Sequence, residues 1–285
     1  MELAITTAFS HRTPIDYIVG AARRIEAAGF ATIWVPEHVL FFPDYESAYP
    51  YSDDGKVPGN PDGVLDPFTA LTFIAANTTT LRLGTGICLV PQRQPVYTAK
   101  MVADVDYLSG GRVDFGIGIG WLEEEFEALG MDFSARAART NEYMAAMKAC
   151  WGPDPVNFSG ETVSITNAQF NPKPVQGPHP PIFVGGESNP ALRRVAAFAD
   201  GWYGYNVSPD GVGPHLGRLD EHLAAVGRSR DEIKVYVAPH QVRVDPEVAA
   251  AYEAAGVEQL ILNVFARSLD ELDERLGRLK ERAGF

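Results

Sequence analysis

Two cysteines, Cys88 and Cys150, are all that the 285 residues contain. That is too few for a disulfide framework or a four-thiolate zinc site. Cations are scarce as well: 24 lysines and arginines face 37 acids, a formal charge of −13. A surface of that sign repels nucleic acid and anionic lipid, so neither is expected as a partner. Among the six histidines no pair has the His-x-x-x-His spacing of a helical zinc site, and no metal is expected. There is no Gly-x-Ser-x-Gly elbow and no P-loop lysine pattern. No apolar run approaches the roughly 18 residues that a membrane span needs. The chain starts Met-Glu-Leu, without a basic segment ahead of an apolar stretch, so a cytoplasmic protein is expected. Hydrophobic residues at 46% and charged residues at 21% exclude disorder as the main architecture.

What is present is a regular alternation. Short apolar strands are predicted at Leu3–Ala8, Ala31–Val35, Leu81–Leu89 and Arg112–Gly116, and again at Ile182–Val184, Gly201–Gly204, Ile233–Val237 and Gln259–Asn263. Helices follow them, several opened by proline: Pro14 to about Ala28, Pro67 to about Asn77, Pro95–Leu108 and Ala135–Trp151. The later ones are Pro190–Ala199, about Val212 to Val226, Pro246–Ala254 and Leu269–Ala283. Strict strand–helix alternation gives a parallel sheet, and eight units in this length fit a closed (β/α)₈ TIM barrel, one α/β domain over residues 1–285. The rhythm breaks once. Between the fourth helix and fifth strand, residues 152–181 form an insertion with a hairpin at Val156–Ile165 turning at Ser159-Gly160. Residues 41–65, rich in Tyr, Pro, Asp and Gly, form a long mouth loop expected to be mobile when empty and to shape a substrate pocket.

Barrel enzymes place their chemistry at the C-terminal ends of strands. Glu37-His38 lies at such an end, and a histidine with a near-neutral pKa can shuttle a proton. The Gly185-Gly186-Glu187-Ser188 turn opens a helix, with Asn189 as the expected N-cap, and its backbone N–H groups could hold a phosphate. Glu187 opposes an anion there unless its side chain points away. Gly116, Gly118 and Gly120 lack the third-glycine offset of a dinucleotide fingerprint, so their expected role is to clear space for a planar ligand. Trp121 could wall a ring system, while Glu123, Glu124 and Glu125 read as acids at a helix start. His240 closes another strand.

These pieces together resemble the luciferase-like monooxygenase superfamily, in its deazaflavin (coenzyme F-420)-dependent oxidoreductase branch. The matching segments are WVPEH (34–38), LRLGTGICLVPQRQPVYTAK (81–100), LSGGRVDFGIGIGWLEEEFEALG (108–130) and PPIFVGGESNPALRRVAAFADGW (180–202), together with the hairpin. The first strand and the C-terminal third match in pattern only. The resemblance implies a flavin or deazaflavin at the strand ends, its phosphate held by the Gly185-Gly186 turn and Ser188, with Glu187 also in the cofactor site. It implies a non-proline cis peptide at Gly86-Ile87 behind the ring, with Gly118 beside it. It also implies that His38 manages a proton while Glu37 contacts the ring edge or orients the histidine. Where some relatives carry a glutamate after the fourth-strand glycines this chain has Trp121, and Glu124 or Glu125 is a weak substitute. The expected activity is hydride transfer between coenzyme F-420 and a small organic substrate. The alternatives are an FMN-dependent monooxygenase served by a separate reductase, and a non-catalytic flavin-binding barrel. A homodimer is expected from the same resemblance.

Overall fold

The first strand pairs with the last, which closes the sheet. In the computed structural model, which describes residues 1–59, 61–239 and 241–285, β1 (Glu2–Thr6) is followed by β2 (Thr32–Val35), β3 (Arg82–Thr85), β4 (Cys88–Leu89) and β5 (Val113–Gly118). A two-stranded antiparallel hairpin, β6 (Val156–Ser159) and β7 (Ser164–Ala168), comes next. The wall resumes with β8 (Ile182–Gly185), β9 (Gly201–Tyr205), β10 (Lys234–Ala238) and β11 (Gln259–Asn263). Every wall contact is parallel. Ile5 pairs with both Ile33 and Leu262, and Leu83 with both Ile33 and Val113, so the ring closes through β1–β11 and β3–β5. With β4 taken as the continuation of β3 beyond the Gly86–Ile87 cis peptide, the wall has eight strands among the described residues.

The helices are α1 (Ile15–Ala27), α2 (Pro67–Ala75), α3 (Pro95–Ser109), α4 (Glu123–Ala128), α5 (Arg136–Trp151), α6 (Asn189–Phe198), α7 (Pro209–Ala225), α8 (Pro246–Ala254) and α9 (Leu269–Ala283). Their starts are written in the sequence. Asp66, Asp245 and Ser268 each accept the N–H three residues on, and Pro67 and Pro246 fill first-turn positions where no N–H is missed. Several boundaries differ from the sequence reading, and two of them bear on helix starts. α7 begins at Pro209, because proline opens a first turn ahead of the apolar spacing. α6 is capped by the Ser188 hydroxyl, which accepts from Ala191 N–H at 3.3 Å, so Asn189 is the first helical residue and not the cap. Among the described residues no helix is long and apolar enough to cross a membrane.

Alternation along the strands sorts side chains between two cores. Ile33 and Val35 of β2 point outward into the large core shared with the helices. Trp34 points inward, where it meets Phe183, Tyr203 and Tyr236 edge-on at ring distances of 5.7, 5.2 and 6.1 Å. Its indole N–H is satisfied by Gln259 Oε1 at 3.0 Å, as a buried donor requires. Fully burying each such ring contributes about 2–3 kcal/mol. This plug fills the barrel axis, so ligand space is confined to the mouth above it.

Candidate active site

The mouth is built from the ends of β2, β4, β5 and β8. Continuing the β2 alternation, Glu37 falls on the outer side and His38 on the inner side. Glu37 is buried, at 4% exposure. Its carboxylate accepts from Leu89 N–H at 2.6 Å and pairs with the Arg93 guanidinium, which also pairs with Asp66. The hydrogen bonds of Glu37 go to Arg93 and the strand-end backbone, and it is Glu125, not Glu37, that bonds His38. Glu37 ties β2 to the segment after the cis peptide.

His38 turns to α4. Its Nδ1 lies 3.0 Å from Oε2 of Glu125, which is wholly buried. Glu125 Oε1 accepts from Val39 N–H at 2.6 Å and Leu40 N–H at 3.0 Å, and Oε2 also accepts from Gln92 Nε2 at 3.0 Å. Burial alone would raise the Glu125 carboxyl, but the hydrogen bonds from His38, Leu40 and Gln92 outweigh it and hold the group below the ordinary carboxylate range. The acid read as a weak substitute is the one that touches the histidine.

Above His38 sits an aromatic wall. Phe41 and Trp121 face it at ring distances of 4.7 and 5.9 Å, and Tyr45 and Tyr49 pack on Trp121 at 5.6 and 5.2 Å. The mouth loop supplies three of these rings and is tied down along its length. Glu124 Oε1 accepts from Glu46 and Ser47 N–H at 2.6 and 3.1 Å, and Tyr51 Oη donates to Glu187 Oε2 at 3.1 Å.

On the far side, β8 ends at Gly185 and the chain turns into α6. Gly186 has φ +106°, a conformation that favours glycine. The Glu187 carboxylate points away from the turn, accepting Tyr205 N–H at 2.7 Å as well as Tyr51 Oη, and burial raises its pKa despite these bonds. The objection that Glu187 would repel an anion is thereby weakened. Among the described residues no acceptor takes the N–H groups of Gly186, Ser188 or Asn189. Arg218 of α7 bridges the turn, donating to Glu187 O at 3.0 Å and Asn189 Oδ1 at 3.1 Å. Free donors at a helix start beside a guanidinium fit a phosphate. Arg218 escaped the sequence reading because α7 is remote in the chain.

The Gly86–Ile87 peptide is cis. Ile87 packs partly buried over the aromatic plug. A Cβ at Gly118 would lie 2.2 Å from Ile87 Cδ1. A side chain at Gly118 would therefore run into the end of the Ile87 side chain. His240 lies outside the described residues.

The luciferase-like monooxygenase family matches the chain over residues 1–284. An uncharacterised protein of Mycobacterium tuberculosis is 33% identical over 263 residues, 91% of each chain. An FMNH₂-dependent dimethylsulfone monooxygenase of Pseudomonas putida is 32% identical over 160 residues, 55% of this chain and 43% of the relative. In fold, a coenzyme F-420-dependent tetrahydromethanopterin reductase of Methanopyrus kandleri superposes with a TM-score of 0.74 at 17% identity, covering 97% of each chain. The chain belongs to the luciferase-like monooxygenase family, a family of oxidoreductases with both F-420-dependent and FMN-dependent neighbours.

Proposed function

We propose that this protein is an oxidoreductase that moves hydride between coenzyme F-420 and a small organic substrate. The observation that carries the reading is the pairing, across one mouth, of a phosphate cradle at residues 186–189 with a histidine anchored at Nδ1. The cradle's N–H groups and Arg218 would hold the cofactor phosphate. A deazaflavin bound there supplies a hydride-only redox centre. The chain's own residues do the rest. Ile87 and the plug beneath it support the ring from below, His38 manages the accompanying proton, and the Tyr45–Tyr51 segment excludes water from above.

The F-420 reading draws support from the Methanopyrus kandleri neighbour, whose name specifies F-420 and whose fold matches this chain over 97% of both chains. The second reading, a monooxygenase fed FMNH₂ by a separate reductase, rests on the FMNH₂-dependent relative, 32% identical over 55% of this chain. A turnover assay separates them. Under anaerobic conditions, oxidised F-420 should lose its visible absorbance when a substrate from an alcohol panel is added, and reduced F-420 should regain it with the matching carbonyl compounds. Oxygen consumption with FMNH₂ and oxygenated product, with no deazaflavin turnover, would overturn the proposal. Hydride exchange with no acceptor, despite tight binding, would favour a cofactor-storing barrel.

A further inference from the structure

We infer that Glu125 is a positioning residue that fixes His38 in its Nδ1–H tautomer, so that the neutral ring presents Nε2 as a proton acceptor to whatever occupies the mouth. The inference deepens the proton role given to His38 above and rests on that reading for its functional consequence, but not for its geometry.

The argument is one of donor and acceptor counting. Two of the groups on Glu125 are backbone N–H groups, of Val39 and Leu40, which can only donate. Both fall on Oε1. Oε2 receives the amide of Gln92 and faces Nδ1 of His38. Gln92 reinforces the pattern, because its own Oε1 is buried without a partner while its Nε2 is turned to the carboxylate. An amide that leaves its oxygen unpaired to donate to Glu125 marks an acceptor with no proton of its own. Burial works against an ionised carboxylate here, and the converging donors outweigh it. With no proton on the carboxylate, the proton between Glu125 and His38 belongs to Nδ1. Neutral imidazole carries one proton, so Nε2 keeps its lone pair. No other described residue takes Nε2, and the side chain retains 15% exposure. A proton taken up at Nε2 makes an imidazolium whose charge the buried carboxylate offsets at 3.0 Å.

Glu125→Gln reverses the arrangement with little change in shape. The new amide oxygen keeps the Val39 and Leu40 donors, which puts its NH₂ against His38 Nδ1. Gln92 can rotate its unpaired oxygen into contact with that NH₂. His38 must then accept at Nδ1 and carry its proton on Nε2.

The test is the long-range ¹H–¹⁵N spectrum of His38 in the uniformly ¹⁵N-labelled apo-protein at pH 8.5, assigned with His38→Gln, beside kcat of the cofactor-loaded enzyme. Expected are the Nδ1–H pattern in the unsubstituted protein, the Nε2–H pattern in Glu125→Gln, and a fall in kcat of about 10–100-fold with KM within threefold. An Nε2–H pattern in the unsubstituted protein overturns the inference even if Glu125→Gln fails to fold. An Nδ1–H pattern that persists in folded Glu125→Gln overturns it as well. The spectrum needs no cofactor, so a wrong assignment of F-420 leaves this result standing, and loss of the tautomer leaves cofactor binding intact.

Discussion

Glu37 and His38 are consecutive in the chain and belong to separate networks. Glu37 is paired with Arg93 outside the barrel wall, whereas His38 is bound to Glu125 at the mouth. The division follows from the strand period of two, carried past the end of β2. It makes the two residues separable by mutation.

Glu37→Gln should act on stability. It removes the charge opposite Arg93, which keeps only Asp66, and it weakens the bond from Leu89 N–H. Breaking a buried pair while one partner remains costs about 2–3 kcal/mol. At about 2–4 °C per kcal/mol for a chain of this size, Tm should fall by roughly 5–10 °C. kcat per folded molecule should stay within about threefold, read by thermal melting and kinetics on one preparation. A large loss of cofactor affinity at unchanged Tm would restore the ring-contact role.

His38→Ala should act on rate. A positioned acid or base contributes about 10²–10⁴-fold. kcat should fall by that factor with cofactor affinity little changed, since the hydrogen bond and ring contacts of His38 go to Glu125, Phe41 and Trp121. Full activity with a lowered Tm would mean that His38 only braces the rim.

Gly186→Val should act on cofactor binding. A side chain at φ +106° is strained, and its Cβ would sit 3.2 Å from Ala191 Cβ at the entrance to the free N–H groups. Affinity should drop at least tenfold in a protein whose circular dichroism still reports the barrel. Unchanged affinity in that folded variant would remove the cradle from the account.

Tyr51→Phe should loosen the mouth loop. The hydroxyl lost is the one that binds Glu187, whose carboxylate keeps Tyr205 N–H. A single hydrogen bond of this kind is worth about 1 kcal/mol, so amide exchange over residues 44–58 should quicken about fivefold. Exchange unchanged within error would show that the Glu124 hydrogen bonds and the aromatic contacts to Trp121 hold the loop without Tyr51.

The fold was legible because period and punctuation agree. Strands of two to six residues alternate with helices, several of them opened by proline, and the glycine stops lie where helices end. The position of His38 at the rim was legible for the same reason. Its partner was not. Glu125 lies 87 positions away on a helix of six residues, with two acids beside it, and nothing local separates a buried acid from two that complement a helix dipole. Gly118 shows the limit of spacing: a side chain there would meet Ile87, a neighbour that the glycine pattern alone does not name. Arg218 and Tyr51 reach the Gly185–Ser188 turn from opposite ends of the chain, a meeting that only the closed barrel produces.

Cofactor choice is tested most directly by titrating the apo-protein with F-420 and with FMN, following binding by fluorescence. Saturation by the deazaflavin at micromolar concentration or below, with no saturation by FMN over the same range, is the predicted result. A yellow protein that retains FMN through purification and ignores F-420 would contradict it.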